Sequence, residues 1–193
     1  IHNWCFDWRK STTQGKVNTE KARQRAEDLI SQIDLSPTLR LMATNPLLLS
    51  LMARTHVDKG KLASKRVDLY GDVCQVLLEG RQRYRKTTEV GLSAKRKQGV
   101  LQHLALEMTK AGMLQFTLDK KTTKEGTYAQ AKALLEEELN RVPKNAPTPE
   151  EFVGKDEVGV RELLSDRQQE GLYEFAHRTF QEYLTAAELK RTG

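Results

Sequence analysis

The sequence predicts a mainly α protein: a helical bundle subdomain, followed by a second subdomain that adds a small β-hairpin to its helices. Three observations lead there. Apolar residues recur at three- and four-residue spacing over most of the chain. Helix starts are marked by capping residues, twice with proline at the first helical position, in Ser36-Pro37 and Asn45-Pro46. Segments that alternate instead are short and lie in the C-terminal half. The polar stretch Thr87 to Leu92 interrupts the helical pattern, so the expected subdomains are 1–90 and 91–193.

In order along the chain, Ile1 to Trp8 is rich in aromatics (Trp4, Phe6, Trp8) and is expected to pack on an upstream domain or close the first helix. Ser11 to Asn18 reads as a polar loop. Thr19 to Ile33 is amphipathic, with Ala22, Ala26, Leu29, Ile30 and Ile33 on one side. Ser36 caps a short helix with Leu39 and Met42 inward. Asn45 caps the next, which opens at Pro46 and runs to about His56, with Leu47, Leu48, Leu51 and Met52 forming a broad apolar face. After a loop over Asp58 to Ser64, a long helix runs from Lys65 to about Arg85, with Val67, Tyr70, Cys74, Leu77, Leu78 and Tyr84 on one face.

Ser93 caps the first helix of the second part, which ends near Gly112 and turns Val100, Leu101, Leu104 and Met108 inward. Leu114 to Leu118 alternates and predicts a short strand. Thr127 to Val142 predicts a helix with Ala131, Leu134, Leu135 and Leu139 inward and Glu136-Glu137-Glu138 on a solvated face. Pro143 to Gly159 reads as a loop, with one poor helix around Glu150 to Val153. Leu163 to Asp166 either continues a helix from Val158 or, as preferred, opens a hairpin that turns through Gln168 to Gly171 and returns along Leu172 to Phe175. Helix, short strand, helix, helix and hairpin is the order of a winged helix.

Leu172 to Ala187 concentrates the strongest local signals. Strand Leu172 to Ala176 leads into a helix whose face would carry Phe180, Tyr183, Leu184 and Ala187. Thr179 and Glu182 have the spacing of a capping box. His177 falls where strand hands over to helix N-terminus. There the free N–H groups and the positive end of the dipole favour an anion; alternatively the imidazole bridges backbone groups in a packed corner.

With 193 residues, 38% hydrophobic and 30% charged, the chain suits a soluble and rather polar helical protein. No apolar run approaches the ~18 residues that a membrane span requires, and no signal peptide is visible. Cys5 and Cys74 stand apart in apolar settings, as buried thiols in a reducing compartment would. The net charge of +6 admits a polyanionic partner. The basic clusters at Arg81 to Lys86 and Lys95 to Lys97 read as solvated helix faces.

Phe175-Ala-His177-Arg-Thr-Phe180-Gln-Glu-Tyr183-Leu-Thr-Ala resembles the F-x-H-x-x-F-Q-E-Y/F-x-A signature in the winged-helix part of NACHT-type NTPases, members of the STAND class of signalling ATPases found in bacterial defence and animal innate immunity. Asn45-Pro46-Leu47-Leu48-Leu49-Ser-Leu51-Met52 resembles the N-P-L-L-L motif of their first helical domain. No G-x-x-x-x-G-K-[ST] phosphate-binding loop occurs, so the chain looks like the segment after a nucleotide-binding domain. The resemblance implies ADP or ATP shared with that upstream domain, which would hold Mg with ATP. Pro46 would lie against the adenine with Leu47 and Leu48 as neighbours, and His177 would touch the β-phosphate of ADP. It also implies a parent ATPase that is cytoplasmic and forms homo-oligomers on activation.

No serine or cysteine nucleophile has a base and an orienting acid, and no two histidines have metal-ligand spacing. The segment alone is therefore expected not to be an enzyme, and no metal site is assigned. The alternative function is a nucleic-acid-binding winged helix. Its recognition segment, near Glu150 to Glu162, is acidic and broken by glycine.

Overall fold

A computed structural model describes residues 19–79, 92–119, 126–141, 146–154, 159–167 and 171–193. The chain divides into two compact units, Ile1–Val76 and Leu77–Gly193. The dividing point falls inside a helix, Arg66–Glu79. The sequence-expected break at Thr87 to Leu92 lies largely outside the described residues, as do the Ile1 to Trp8 segment and the Arg81 to Lys86 cluster.

The first unit is built from α1 (Thr19–Asp34), α2 (Pro37–Ala43), α3 (Pro46–Lys59) and the start of α4 (Arg66–Glu79). Both proline-marked starts form as expected. The Ser36 hydroxyl accepts from Leu39 N at 3.3 Å, and Asn45 Oδ1 accepts from Leu47 N at 2.9 Å and Leu48 N at 3.3 Å. Each cap satisfies amides that the helix itself cannot. Ala26, Leu29, Ile33, Leu39, Met42, Leu48 and Met52 are buried. Leu47 and Val67, expected on inner faces, are 39% and 58% exposed; Leu48 is buried as expected, and Leu69 is buried without having been expected there. Cys74 is a buried free thiol, and burial pushes its pKa up to about 12.

A polar chain ties α1 to the end of α3. His56 Nε2 lies 2.8 Å from Asp28 Oδ2. Gln32 donates to the same Asp28 oxygen at 3.0 Å and to Gly60 O at 3.2 Å, while its carbonyl accepts from Leu62 N at 2.8 Å. Buried polar groups such as His56 persist where they are paired in this way.

The second unit runs α5 (Ala94–Lys110), β1 (Gln115–Thr117), β2 (Thr127–Tyr128), α6 (Ala131–Asn140), α7 (Pro149–Val153), α8 (Val160–Leu163), β3 (Leu164–Arg167), β4 (Leu172–Phe175) and α9 (Arg178–Thr192). Ser93 caps α5, and Val100, Leu101, Leu104 and Met108 are buried as their spacing predicts. Lys97 is buried too, so the Lys95 to Lys97 cluster is not wholly a solvated face. At its end α5 makes both Schellman bonds: Met113 N to Met108 O at 2.8 Å and Gly112 N to Thr109 O at 3.0 Å. Gly112 supplies the left-handed φ of 68° that the motif requires.

The strands form one sheet in the order β2-β1-β4-β3. The hairpin is present, with Leu164 opposite Phe175 and Asp166 opposite Tyr173, and β1 pairs antiparallel to β4. Phe116 and Tyr173 stack across that pair, with ring centroids 5.3 Å apart. Strand β2 was not expected. The sequence pattern extends the helix back to Thr127, but Thr127 and Tyr128, β-branched and aromatic, pair parallel to Gln115 and Phe116, and α6 begins only at Ala131. The two readings of Leu163 to Asp166 both hold in part: Val160–Leu163 is helical, and the strand starts one residue later.

Gly159 has φ 95°, and a Cβ there would stand 2.4 Å from Leu77 O and 2.8 Å from Leu78 Cα. The end of α4 can reach the start of α8 only because this residue has no side chain.

Candidate functional site

The site candidates belong to different units: Pro46 and Leu47 to the first, His177 to the second. In the first unit Pro46 occupies the opening position of α3, where its missing N–H costs nothing. Pro46 and Leu47 are both exposed, whereas Leu48 is 8% exposed and belongs to the core. Together the Asn45 cap and the proline ring set a short apolar edge on a rigid helix start. Such an edge can lie against a flat apolar ring without any polar contact.

In the second unit, β4 delivers the chain to His177. Ala176 N donates to Leu163 O at 2.9 Å, holding the strand end beside the α8–β3 junction. His177 is then extended (φ −148°, ψ 138°) and is itself the N-cap of α9. Its Nδ1 accepts from Thr179 N at 3.3 Å and lies 2.7 Å from Thr179 Oγ1. Its ring is half-buried.

The predicted capping box at Thr179 and Glu182 does not form. The helix begins at Arg178, so Thr179 is already its second residue, and Glu182 pairs with Arg178 Nε at 3.1 Å. Imidazole Nδ1 accepts the amide that a shorter polar side chain ordinarily would, which the usual ranking of N-cap residues does not anticipate. A capping box does form elsewhere, at Thr148 and Glu151, opening α7.

What anchors α9 is also different from the apolar pattern. Phe180 and Leu184 are buried as expected, but Tyr183 and Ala187 are only half-buried. Gln181, Thr185 and Glu188 take the remaining inward positions. Gln181 Nε2 donates to Met113 O at 3.0 Å and to Thr109 Oγ1 at 3.3 Å, and Thr109 Oγ1 lies 3.0 Å from Thr185 Oγ1. These bonds fasten the first turns of α9 to the Schellman end of α5. They hold the helix that His177 caps at one height and rotation. Hydrophobic periodicity is blind to such residues, because it assigns polar side chains to the outer face.

The lower half of α9 meets a charged cluster. Glu188, 1% exposed, pairs with Arg191, whose Nε donates to Oε2 at 2.8 Å. The Arg191 hydrogen bond holds the Glu188 carboxyl below the usual carboxylate range. Nearby, His103 Nδ1 and Arg141 Nη1 lie 2.8 Å and 2.6 Å from Glu138 Oε1. The expectation of a wholly solvated Glu136 to Glu138 therefore fails at Glu138, which is buried among positively polarised partners.

In the segment weighed as a recognition element, α7 and α8 present Glu150, Glu151, Arg161 and Glu162 as exposed residues. Glu150 is paired with Lys132 at 2.7 Å. That surface is acidic rather than basic, the opposite of what phosphate contacts require. No helix among the described residues is long and apolar enough to cross a membrane.

A comparison with curated proteins finds no match. Residues 66–189, most of the chain and the whole of the α5-to-β4 order, match the family of winged helix-turn-helix domains C-terminal to NACHT, and the chain belongs to that family.

Proposed function

We propose that this chain is the regulatory part of a NACHT-type signalling ATPase, following the nucleotide-binding domain and covering its nucleotide. In this reading the edge formed by Pro46 and Leu47 lies against the adenine. His177 reaches the phosphates and latches the ADP-bound, inactive form. The chain itself contributes no hydrolytic chemistry; ATP and its Mg are held by the upstream domain of the same protein. Release of the latch permits homo-oligomerisation and signalling, in a cytoplasmic defence or innate-immune-type pathway.

The observation that carries this reading is His177 at the β4–α9 corner, within a chain that belongs to a family defined by its position after NACHT. A half-buried imidazole at such a corner can offer Nε2 to an anion while Nδ1 is occupied by the backbone of its own helix. The mechanism is differential: the latch shifts the closed–open equilibrium only by the difference in its contact with the ADP and ATP forms. One hydrogen bond to a charged phosphate is worth roughly 1.5–3 kcal/mol, about ten- to a hundredfold in population.

The test is the nucleotide content of the chain joined to its NACHT domain, read by denaturing the purified protein and chromatographing what is released. Stoichiometric ADP in the wild type, lost from His177→Ala together with a rise in basal activity, supports the latch. Wild-type protein without nucleotide, or an ADP off-rate unchanged in His177→Ala, refutes it.

A further inference from the structure

We infer that Thr179 is a positioning residue that fixes the tautomer and ring orientation of His177, so that Nε2 carries the proton and is the ring's N–H donor. The inference rests on the latch reading for its function, but on two contacts alone for its chemistry.

The first contact is the backbone. Thr179 N donates to His177 Nδ1 at 3.3 Å, a long bond that favours an unprotonated Nδ1. A neutral imidazole has one N–H, and with Nδ1 acting as acceptor it must sit on Nε2. The second contact is the hydroxyl, 2.7 Å from the same nitrogen. With Nδ1 already an acceptor, Thr179 Oγ1–H is the donor. Nδ1 is thus a shared acceptor for two donors of one residue, and both favour the same tautomer. The opposite tautomer would point a ring N–H at the Thr179 amide and leave the first turn of α9 uncapped. Among the described residues Nε2 makes no further hydrogen bond.

The consequence is chemical. A phosphate oxygen only accepts, so a latch histidine is useful in the form that presents N–H on the ring nitrogen it offers. Thr179 selects that form before nucleotide arrives, removing the cost of a tautomer shift on binding. Threonine suits the position because it supplies a donor two residues after the histidine, at the second position of the helix, without interrupting it.

The experiment uses the whole protein, labelled with ¹⁵N-histidine, and long-range proton–nitrogen spectra of the imidazoles. His177 is assigned through His177→Ala. A wild-type His177 with an unprotonated Nδ1, a mixed tautomer in Thr179→Val, where only the long amide contact remains, and the wild-type pattern in Thr179→Ser are expected. ADP release should be about two- to tenfold faster in Thr179→Val, the scale of one neutral hydrogen bond, and near wild type in Thr179→Ser. A wild-type spectrum with the proton on Nδ1 overturns the inference whatever the variants do. So does an unchanged tautomer in folded Thr179→Val. If His177→Ala does not alter ADP release, the latch reading fails by itself, and the spectra still decide the role of Thr179.

Discussion

The side-chain amide of Gln181 donates to the carbonyl of Met113 at 3.0 Å, joining the first turn of α9 to the residue that ends the Schellman turn of α5. Because Gln181 is 4% exposed, the bond is made away from water. Gln181→Leu keeps the volume but leaves the Met113 carbonyl and the Thr109 hydroxyl short of a donor. An unsatisfied buried acceptor costs about 1–3 kcal/mol. Urea unfolding should fall by about that amount, whereas substitution of the exposed neighbour Glu182 by Gln should change stability by no more than about 0.5 kcal/mol.

Thr148–Glu151 and Thr179–Glu182 both have the T-x-x-E spacing at a helix start, and only the first is a capping box. At Thr148 the amide donates to Glu151 Oε2 at 2.7 Å, and the Glu151 amide to Thr148 Oγ1 at 3.2 Å. Thr148→Ala should therefore cost about 1 kcal/mol in thermal or chemical unfolding. Thr179→Ala should cost less, since the cap of α9 is the imidazole of His177 and the Thr179 amide remains. A larger loss at Thr179 than at Thr148 would contradict the assignment of the caps.

These elements mark what could be read from the residues. The helices of α2, α3 and α5 were legible because Ser36, Asn45 and Ser93 declare their starts and the apolar stripes are periodic. The hairpin was legible from its alternation. Strand β2 was not, because a two-residue strand next to a strong helical pattern carries no period of its own. The same limit hid Gln181 and Glu138: a buried polar residue is recognisable by its partners, and Met113 and His103 are far away in the chain. Glu188 was hidden for another reason, since its i,i+3 spacing to Arg191 reads as an ordinary surface pair. His177 was placed correctly at the strand–helix corner, but its role as the cap required knowing where α9 begins.

Gly159 tests a close backbone approach in the second unit. Alanine there would need φ near 95° and a Cβ 2.4 Å from Leu77 O, so either α8 or the end of α4 must move. Strain of this kind costs on the order of 1–3 kcal/mol. Gly99→Ala is the control, since nothing lies within 4 Å of its added Cβ and its helical setting favours alanine. Opposite signs are expected for the two substitutions in urea unfolding.

Glu188 predicts a pH dependence. The Arg191 hydrogen bond lowers its folded pKa below the ordinary glutamate value of about 4.3. The unfolded chain thus binds its proton more readily, and stability rises with pH through this window. The contribution is full above the ordinary value and is lost as pH falls through the lowered one. Glu188→Gln should show a shallower loss of stability on acidification than the wild type in unfolding followed from neutral pH downward. Parallel curves would mean that the pairing with Arg191 carries no linkage.

Leu47 and Leu48 separate stability from function within one turn of α3. Leu48, 8% exposed, packs in the first unit, and Leu48→Ala should cost about 2–4 kcal/mol. Leu47, 39% exposed, adds little to folding but stands beside Pro46 on the edge proposed to meet adenine. Leu47→Ser should leave unfolding within about 0.5 kcal/mol of wild type while raising the ADP off-rate of the protein with its NACHT domain. Burying part of a leucine against a base is worth on the order of 1 kcal/mol, so a roughly fivefold faster release is expected. Loss of stability without a change in ADP release would return Leu47 to the core and leave Pro46 no apolar neighbour at the proposed edge.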